Sequence, residues 1–190
     1  NYLETHDVNG NTVNLGSPIS TGDGILNNDS VFKSSIYSIS SLNVGSKNIV
    51  DLTGIEYFNS LTNLNCYDNN ISSLNLSNNL SLQQLSCSHN SSLTTLDLRH
   101  NINLNYLQCM NNNNLSHIDI RNNHNNLLTY CNNAGCGAAK FRVSQNPNLY
   151  CISVDDPLWS DSIWTSKDAH TIFSNDCNDV PSTFIWNGSI

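Results

Sequence analysis

The chain has 190 residues and a formal net charge of −8, which is long enough for one domain with its own core. The acidic balance argues against nucleic acid and anionic membranes as partners and favours neutral or basic ones. No apolar run is long enough to span a bilayer, so we expect no membrane insertion. The chain starts at Asn1 without a signal peptide, which predicts a processed or fragmentary N-terminus.

Residues 1–35 contain polar loops but no repeat. Residues 7–11 and 22–29 are superficially similar to calcium loops, which need alternating oxygen ligands, a glycine and a closing carboxylate. Neither copy is complete, because the first lacks the glycine at its sixth place and Asp23 lacks the earlier acidic residues. Turn formation by Asp, Asn and Gly explains both loops more simply, with calcium as the alternative.

A repeat with a period of about two dozen residues runs through residues 61–146. Alternating Leu and Cys, as at Leu64 and Cys66, place their side chains on one side of a short strand. The Asn three residues later, Asn69, hydrogen-bonds backbone groups that the turn leaves unpaired. One coil cannot bury its own apolar side, so successive coils must stack about 4.7–4.9 Å apart.

A second frame is offset within each coil. It comprises residues 74–79, 96–101, 118–123 and 141–146, and we expect Val154 to return to the first frame. Its outward positions predict exposed ion pairs such as Asp97 with Arg99 and Asp119 with Arg121, and they include Arg142. The first frame slips near residue 126, which predicts a bulge or protruding loop at residues 132–139.

The cysteines fall into two groups. The inward ladder position of the first frame is assigned to Cys66, Cys87, Cys109 and Cys131. In-register side chains on parallel strands oppose disulfide geometry, so we expect these thiols to be reduced and buried. A zinc site is the alternative, but a ladder does not converge tetrahedrally, and we predict no metal. Cys151 and Cys177 form the candidate disulfide, and Cys136 is unassigned.

The C-terminal part does not repeat. Trp159 and Trp164 supply the large apolar area needed to cover the last coil, with a ligand-binding aromatic box as the alternative. We expect a short helix to start at residues 165–168. Pro181 and the polar residues around it predict that residues 178–190 are a linker leading into a further domain or into an exchanged strand.

These motifs resemble the leucine-rich repeats, and more narrowly the internalin J-like cysteine-ladder repeats of bacterial surface proteins and flavobacterial secreted proteins. The resemblance implies a leucine-rich repeat solenoid, mainly β with short irregular or 3-10 returns, between small helical N-terminal and C-terminal caps. It places an N-terminal cap at residues 1–35, the solenoid at 36–154, a C-terminal cap at 155–177 and a linker or further segment at 178–190. It also implies secretion or a bacterial cell-surface location.

The residues beside each ladder cysteine should face solvent and form the candidate binding face. This face is neutral, amide-rich and lightly aromatic, which suits a protein or a glycan. Its candidate ligand-binding residues are Asn65, Tyr67, Gln84, Ser86, Tyr106, Gln108, Met110, Tyr130 and Asn132. An ordinary strand surface is the structural alternative.

The function we expect is a non-catalytic extracellular leucine-rich repeat module for protein or glycan binding or adhesion. No activated nucleophile, paired buried acids or phosphate loop is recognisable, so we predict neither catalytic residues nor a cofactor. The alternative is a structural subunit of a surface layer or filament that self-associates through its tail. Ser30 and Ser162 lie in short Asp-Ser-apolar motifs, which the flavobacterial resemblance implies as O-glycosylation sites.

Overall fold

The computed structural model describes residues 11–14, 36–128 and 140–179. In these parts of the chain, nine strands of two or three residues form two parallel sheets, with one α-helix and short 3-10 turns. This arrangement is consistent with a leucine-rich-repeat-like solenoid, as the sequence predicts. The expected N-terminal helices, the loop at 132–139 and nearly all of the C-terminal tail lie outside the described residues.

The first sheet, which we call the ladder sheet, contains one strand from each coil. Its order is β1-β2-β3-β5-β7, and all pairings are parallel. The inward residues Leu42, Leu64, Leu85, Leu107 and Phe141 are in direct register. Its strands are β1 (Ser41–Asn43), β2 (Asn63–Asn65), β3 (Gln84–Ser86), β5 (Tyr106–Gln108) and β7 (Phe141–Arg142).

The second sheet, which we call the offset sheet, has the order β4-β6-β8-β9. Leu96, Ile118, Ile152 and Phe173 are its inward residues in register. Its strands are β4 (Thr95–Asp97), β6 (His117–Asp119), β8 (Cys151–Ser153) and β9 (Ile172–Ser174). Because β9 pairs with β8, the stacking continues beyond Val154 into the segment 155–177, for which the sequence predicts a cap.

The core is a column of apolar side chains between the two sheets. Within it, Cys66, Cys87 and Cys109 are reduced and have exposures of 0%, 1% and 0%. Burial, together with the neighbouring Cys109 thiol, raises the pKa of Cys66 to about 12. A hydrogen bond with Cys109, together with burial, raises the pKa of Cys87 as well. The thiols of Cys66 and Cys87 are therefore neutral at physiological pH and behave as small apolar groups.

Buried asparagines close the corners that follow the ladder strands β3, β5 and β7. The side-chain amide of Asn90 donates to the carbonyls of Cys66 at 3.0 Å and Cys87 at 3.1 Å, which joins two coils. Asn146 likewise donates to the carbonyls of Cys109 at 2.8 Å and Val143 at 2.6 Å. The repeated Asn thus supplies hydrogen bonds that the backbone cannot make for itself at these corners.

The two frames exchange places after β6, which corrects the sequence-based assignment. β7 pairs directly with β5, so Phe141 and Val143 belong to the ladder sheet rather than to the offset frame. Val143 therefore takes the ladder position after Cys109 that the sequence analysis gave to Cys131, which itself lies outside the described residues. β8 pairs with β6, so Val154 belongs to the offset sheet.

The C-terminal part covers the end of the core with aromatic rings. Trp164 is 2% exposed, stacks on Phe141 at 4.1 Å between ring centroids and meets Trp159 edge-on at 5.6 Å. Its indole N–H donates to the carbonyl of Leu128 at 3.0 Å. Both tryptophans are therefore part of the core packing rather than an open aromatic box.

The α-helix precedes the position expected from the sequence. It is α1 (Pro157–Ile163), and the Asp156 side chain caps it by accepting the backbone N–H of Trp159 at 3.0 Å. Proline in the first turn and aspartate at the N-cap favour this start over residue 165. The 3-10 helices of the described parts are Ile55–Tyr57, Asn125–Leu128 and Cys177–Asp179, and no described helix is long and apolar enough to cross a membrane.

A disulfide joins Cys151 of β8 to Cys177 at the start of the last 3-10 helix. It ties the segment after β9 to the offset sheet across 26 residues. This is the pair that the sequence analysis selected, whereas Cys136 lies outside the described residues. Because a crosslink restricts the unfolded chain, it stabilises the final coil.

Candidate functional site

A groove of about 460 Å³ crosses the outward side of the ladder sheet, which we call the ladder face. It extends over four successive strands, from the end of β2 to β7, a span of about 14 Å at ordinary strand spacing. Its lining residues are Asn65, Tyr67, Ser86, Ser88, His89, Gln108, Met110, Asn111 and Arg142.

Of the nine residues of the predicted binding face, five line this groove, two lie elsewhere on the sheet and two lie outside the described part of the chain. The lining five are Asn65, Tyr67, Ser86, Gln108 and Met110. Gln84 is exposed and Tyr106 is half-buried on the same sheet, nearer the start of each strand. Tyr130 and Asn132 lie outside the described residues.

Tyr67 forms the aromatic end of the groove, and Gly45 makes room for its ring. A Cβ at Gly45 would lie 2.4 Å from Cε1 and 2.5 Å from Cδ1 of Tyr67. The ring therefore lies against the backbone of the preceding coil while remaining 41% exposed. Sequence reasoning missed Gly45, although Gly45 holds the same position in the preceding coil as Tyr67 holds in its own.

Gln108 is held in the middle of the groove by its neighbours. Its side-chain oxygen accepts from the Tyr106 hydroxyl at 3.2 Å and from the Ser86 hydroxyl at 3.5 Å. This fixes the orientation of the amide, so its N–H₂ group is the part presented for a ligand. Tyr106 therefore contributes to the site by orienting Gln108 rather than by lining the groove.

Ser88 and Met110 are linked across two strands. The backbone N–H of Met110 donates to the Ser88 hydroxyl at 3.0 Å, and Ser88 is only 6% exposed. The hydroxyl accepts a hydrogen bond from a backbone N–H group below the groove surface. Ser88 therefore has a structural role that does not require a ligand.

A column of residues with positive φ borders the groove, one per coil. The left-handed conformation is uncommon for residues other than glycine, and Asn, Asp and His are enriched in it. Along the column, Asn111 donates to Gln145 at 2.9 Å and contacts a ring nitrogen of His89 at 3.3 Å. The column consists of Ser46, Asp68, His89, Asn111 and Gln145. It gives His89 and Asn111 a structural reason for their place at the site, which sequence reasoning missed.

Arg142 closes the opposite end of the groove from Tyr67. The sequence analysis placed it on the offset frame, but the pairing Gln108 with Arg142 puts it on the ladder face. Only the register of β7 reveals this, because the repeat alone does not show where the frames exchange.

The offset sheet carries the predicted ion pairs on its outward side. Arg121 donates to Asp119 at 3.0 Å through Nε, and Arg99 donates to Asp97 at 3.0 Å through Nε. Burial opposes ionisation of Asp119, but hydrogen bonds from the Arg121 side chain and backbone hold its pKa below the ordinary value. The hydrogen bond from Arg99 does the same to the pKa of Asp97. These contacts consume both guanidinium groups internally.

Reactive groupings are sparse in the described parts of the chain. No group of three or more His, Cys, Asp or Glu side chains there could hold a metal ion. His117 lies 3.0 Å from the Ser153 hydroxyl, but Ser153 is only 1% exposed and has no access to a substrate. Ser162 lies exposed on α1 and donates to the Trp159 carbonyl at 2.7 Å, while its glycosylation stays a prediction. Ser30 lies outside the described residues.

The chain is similar to the crystal structure of internalin C2 from Listeria monocytogenes, with a TM-score of 0.32 and 19% sequence identity. The match covers 80% of this chain and 81% of that one. No protein-family model matches the chain, and no curated protein matches it in sequence.

Proposed function

We propose that this chain is a non-catalytic extracellular binding module that takes a protein or a glycan in the groove of the ladder face. The observation that carries the proposal is the groove itself, which joins polar and apolar side chains from four stacked strands into one surface. Repeat proteins commonly use such extended surfaces for binding, because each coil adds one row of side chains.

The composition of the groove favours recognition over chemistry. Amide and hydroxyl groups supply directional hydrogen bonds, and Tyr67 and Met110 supply apolar contact. Gln108 is preoriented by Tyr106 and Ser86, so its ordering cost is met before a ligand arrives. A rigid surface of this kind binds without needing an activated nucleophile.

The Cys151 to Cys177 disulfide supports an extracellular setting. Disulfides persist in oxidising compartments and are rare in the cytosol of mesophiles. The low share of charged residues, 12%, also suits a surface built from uncharged polar corners.

The test is a screen of immobilised extracellular proteins and glycans followed by paired variants of the module. Tyr67→Ala combined with Met110→Ala should lower the affinity for a ligand of the groove at least tenfold, which is about 1.4 kcal/mol of binding free energy. Tyr150→Ala is the matched control, because Tyr150 is 48% exposed next to the offset sheet. Equal affinity of the double variant and the parent would contradict the assignment of the face, and the absence of any ligand would contradict a binding module.

A further inference from the structure

The ladder face has a positively charged end. Lys140 immediately precedes β7, and Arg142 lies two residues later, so both flank the inward Phe141 on the outward side. Within the described part of the chain, neither side chain is engaged in an ion pair or hydrogen bond with a carboxylate. Arg142 is half-buried at the end of the groove, where partial desolvation strengthens its attraction for an anion.

The other two arginines of the chain behave differently. Arg99 binds Asp97 and Arg121 binds Asp119, so both cations on the offset sheet are neutralised by their own strand. Asp168, an acidic residue of the following segment, uses both carboxylate oxygens to accept the backbone N–H groups of Gln145 and Asn146. The two arginines of the offset sheet are thus neutralised, whereas Arg142 and Lys140 have no carboxylate partner among the described residues.

We propose that the groove binds an acidic glycan, with a sugar carboxylate at Arg142 and Lys140 and neutral sugar rings along the amides towards Tyr67. This rests on the proposed function and names its ligand class. Guanidinium pairs with a carboxylate through two parallel hydrogen bonds, whereas ammonium acts as a point charge beside it. The two cations are therefore complementary to a carboxylate-bearing ligand.

The middle of the groove decides between a glycan and an acidic peptide. Ser86, Gln108 and Asn65 present hydroxyl and amide groups, which match the many hydroxyls of a sugar chain. Protein interfaces usually have an apolar centre, whereas here the large apolar side chains of the lining are Tyr67, at one end, and the single Met110. The span of about 14 Å between Tyr67 and β7 is longer than one sugar ring and requires an extended ligand.

The net charge of −8 by itself favours neutral or basic partners. However, charges on the far side of the module are screened over about 8 Å at physiological ionic strength. A carboxylate at β7 therefore experiences the two nearby cations far more strongly than the distant acidic groups.

The test uses hexamers of galacturonic acid and of mannuronic acid, with the methyl-esterified galacturonate hexamer as the neutral counterpart, measured by calorimetry. At least one acid hexamer should bind at least tenfold more tightly than the ester, and more weakly as salt rises. Arg142→Gln should remove most of this preference, and Lys140→Gln part of it. Arg99→Gln removes the same charge from the other sheet and should leave the affinity unchanged.

Several outcomes would overturn the inference. One is binding of neither acid hexamer, and another is equal binding of acid and ester. Loss of affinity that is the same for Arg99→Gln and Arg142→Gln would reveal a general charge effect. Tighter binding of hexaglutamate than of both acid hexamers would assign the site to an acidic peptide. If a neutral glycan binds in a Tyr67-dependent manner without any carboxylate preference, this inference fails while the proposed binding function stands.

Discussion

Asn146 is the last of a series of corner asparagines that hydrogen-bond from coil to coil, and Asp168 takes the next place in that series. Asn146 Oδ1 accepts the backbone N–H of Asn112 at 2.8 Å, and the backbone N–H of Asn146 donates to Asp168 Oδ2 at 2.7 Å. The carboxylate takes the place that the next asparagine oxygen would hold. Each coil therefore depends on its successor for a hydrogen-bond acceptor, and the last coil obtains it from the C-terminal segment.

The first prediction concerns an asparagine in the middle of this series of corner asparagines. Asn90→Ala removes donors to three backbone carbonyls, those of Cys66, Cys87 and Ser88, and an acceptor for the N–H of Ile71. Because these groups are buried, the free energy of unfolding should fall by about 2–4 kcal/mol. Urea denaturation followed by circular dichroism measures this change.

The control for Asn90 is Asn114→Ala, an exposed asparagine in the next coil. It should change the free energy of unfolding by no more than about 0.5 kcal/mol. A similar small loss at Asn90 would mean that the corner asparagines do not hold the coils together.

The second prediction concerns the thiol column. Cys87→Ser places a hydroxyl in an apolar column and should cost about 1–3 kcal/mol of unfolding free energy. Cys87→Val should cost less, because Val44 and Val143 occupy the equivalent position in other coils and are 1% and 0% exposed. Thermal denaturation of the two variants gives their order.

Thiol labelling tests the same column independently. The thiolate is the reactive form, and burial together with a raised pKa makes it rare at Cys87. Peptide mass spectrometry should therefore find Cys87 unlabelled in native protein and fully labelled in urea. Rapid labelling of native Cys87 would mean that the inward and outward sides of the strand are assigned the wrong way round, since a slip of one residue exchanges the two sides.

The third prediction concerns acid stability. Hydrogen bonds from Arg121 keep the pKa of Asp119 below its ordinary value. Ionised Asp119 therefore stabilises the folded state fully at any pH above that ordinary pKa. This contribution is lost as pH falls from about 4 through the lower folded pKa. Asp119→Asn should lower the free energy of unfolding at pH 7 by about 1–2 kcal/mol and flatten its decline in acid.

Urea titrations at pH 7, 5, 4 and 3 measure this pH dependence. Thr95→Ala, an exposed change on the same sheet, serves as the control and should keep the parent slope. An Asp119→Asn variant with an unchanged slope below pH 4 would show that Asp119 has the same pKa in the folded and unfolded chain.

Much of the architecture could be predicted from the sequence, because the repeat reports buried positions. The spacing of Leu64 and Cys66, and its recurrence one coil later, identifies the strands and their inward sides. The exchange of frames at Phe141 could not be predicted, because Phe141 and Ile152 have the same local pattern. Which earlier strand each one joins depends on the length of the intervening coil rather than on its own residues.

The candidate site was predictable at its centre and not at its borders. Tyr67 and Gln108 follow from alternation along a strand, which is a local property. Arg142 depends on the long-range pairing with Gln108, and His89 depends on a left-handed turn that several residue types can adopt. The places of Arg142 and His89 at the groove are set by tertiary structure, so they cannot be predicted from the repeat pattern of one sequence.

The last prediction separates ring position from stability by comparing two glycines. Gly45→Ala puts a Cβ where the Tyr67 ring lies, and the half-exposed ring can rotate outward. Gly45 does not have a positive φ, so alanine carries no backbone penalty there and the unfolding free energy should change by less than about 1 kcal/mol. Two-dimensional NMR should show shifted Tyr67 ring signals, and ligands of the groove should bind at least several-fold more weakly.

Gly54→Ala is the converse case. Gly54 has a φ of 102° and no neighbouring atom within 4 Å of an added Cβ, so its substitution is strained by the backbone alone. It should lower the free energy of unfolding by about 1–2 kcal/mol while leaving the Tyr67 signals and ligand affinity unchanged. If Gly45→Ala instead destabilised the fold as much as Gly54→Ala and left the ring signals in place, Gly45 would be a structural turn residue. The position of the Tyr67 ring would then not depend on Gly45.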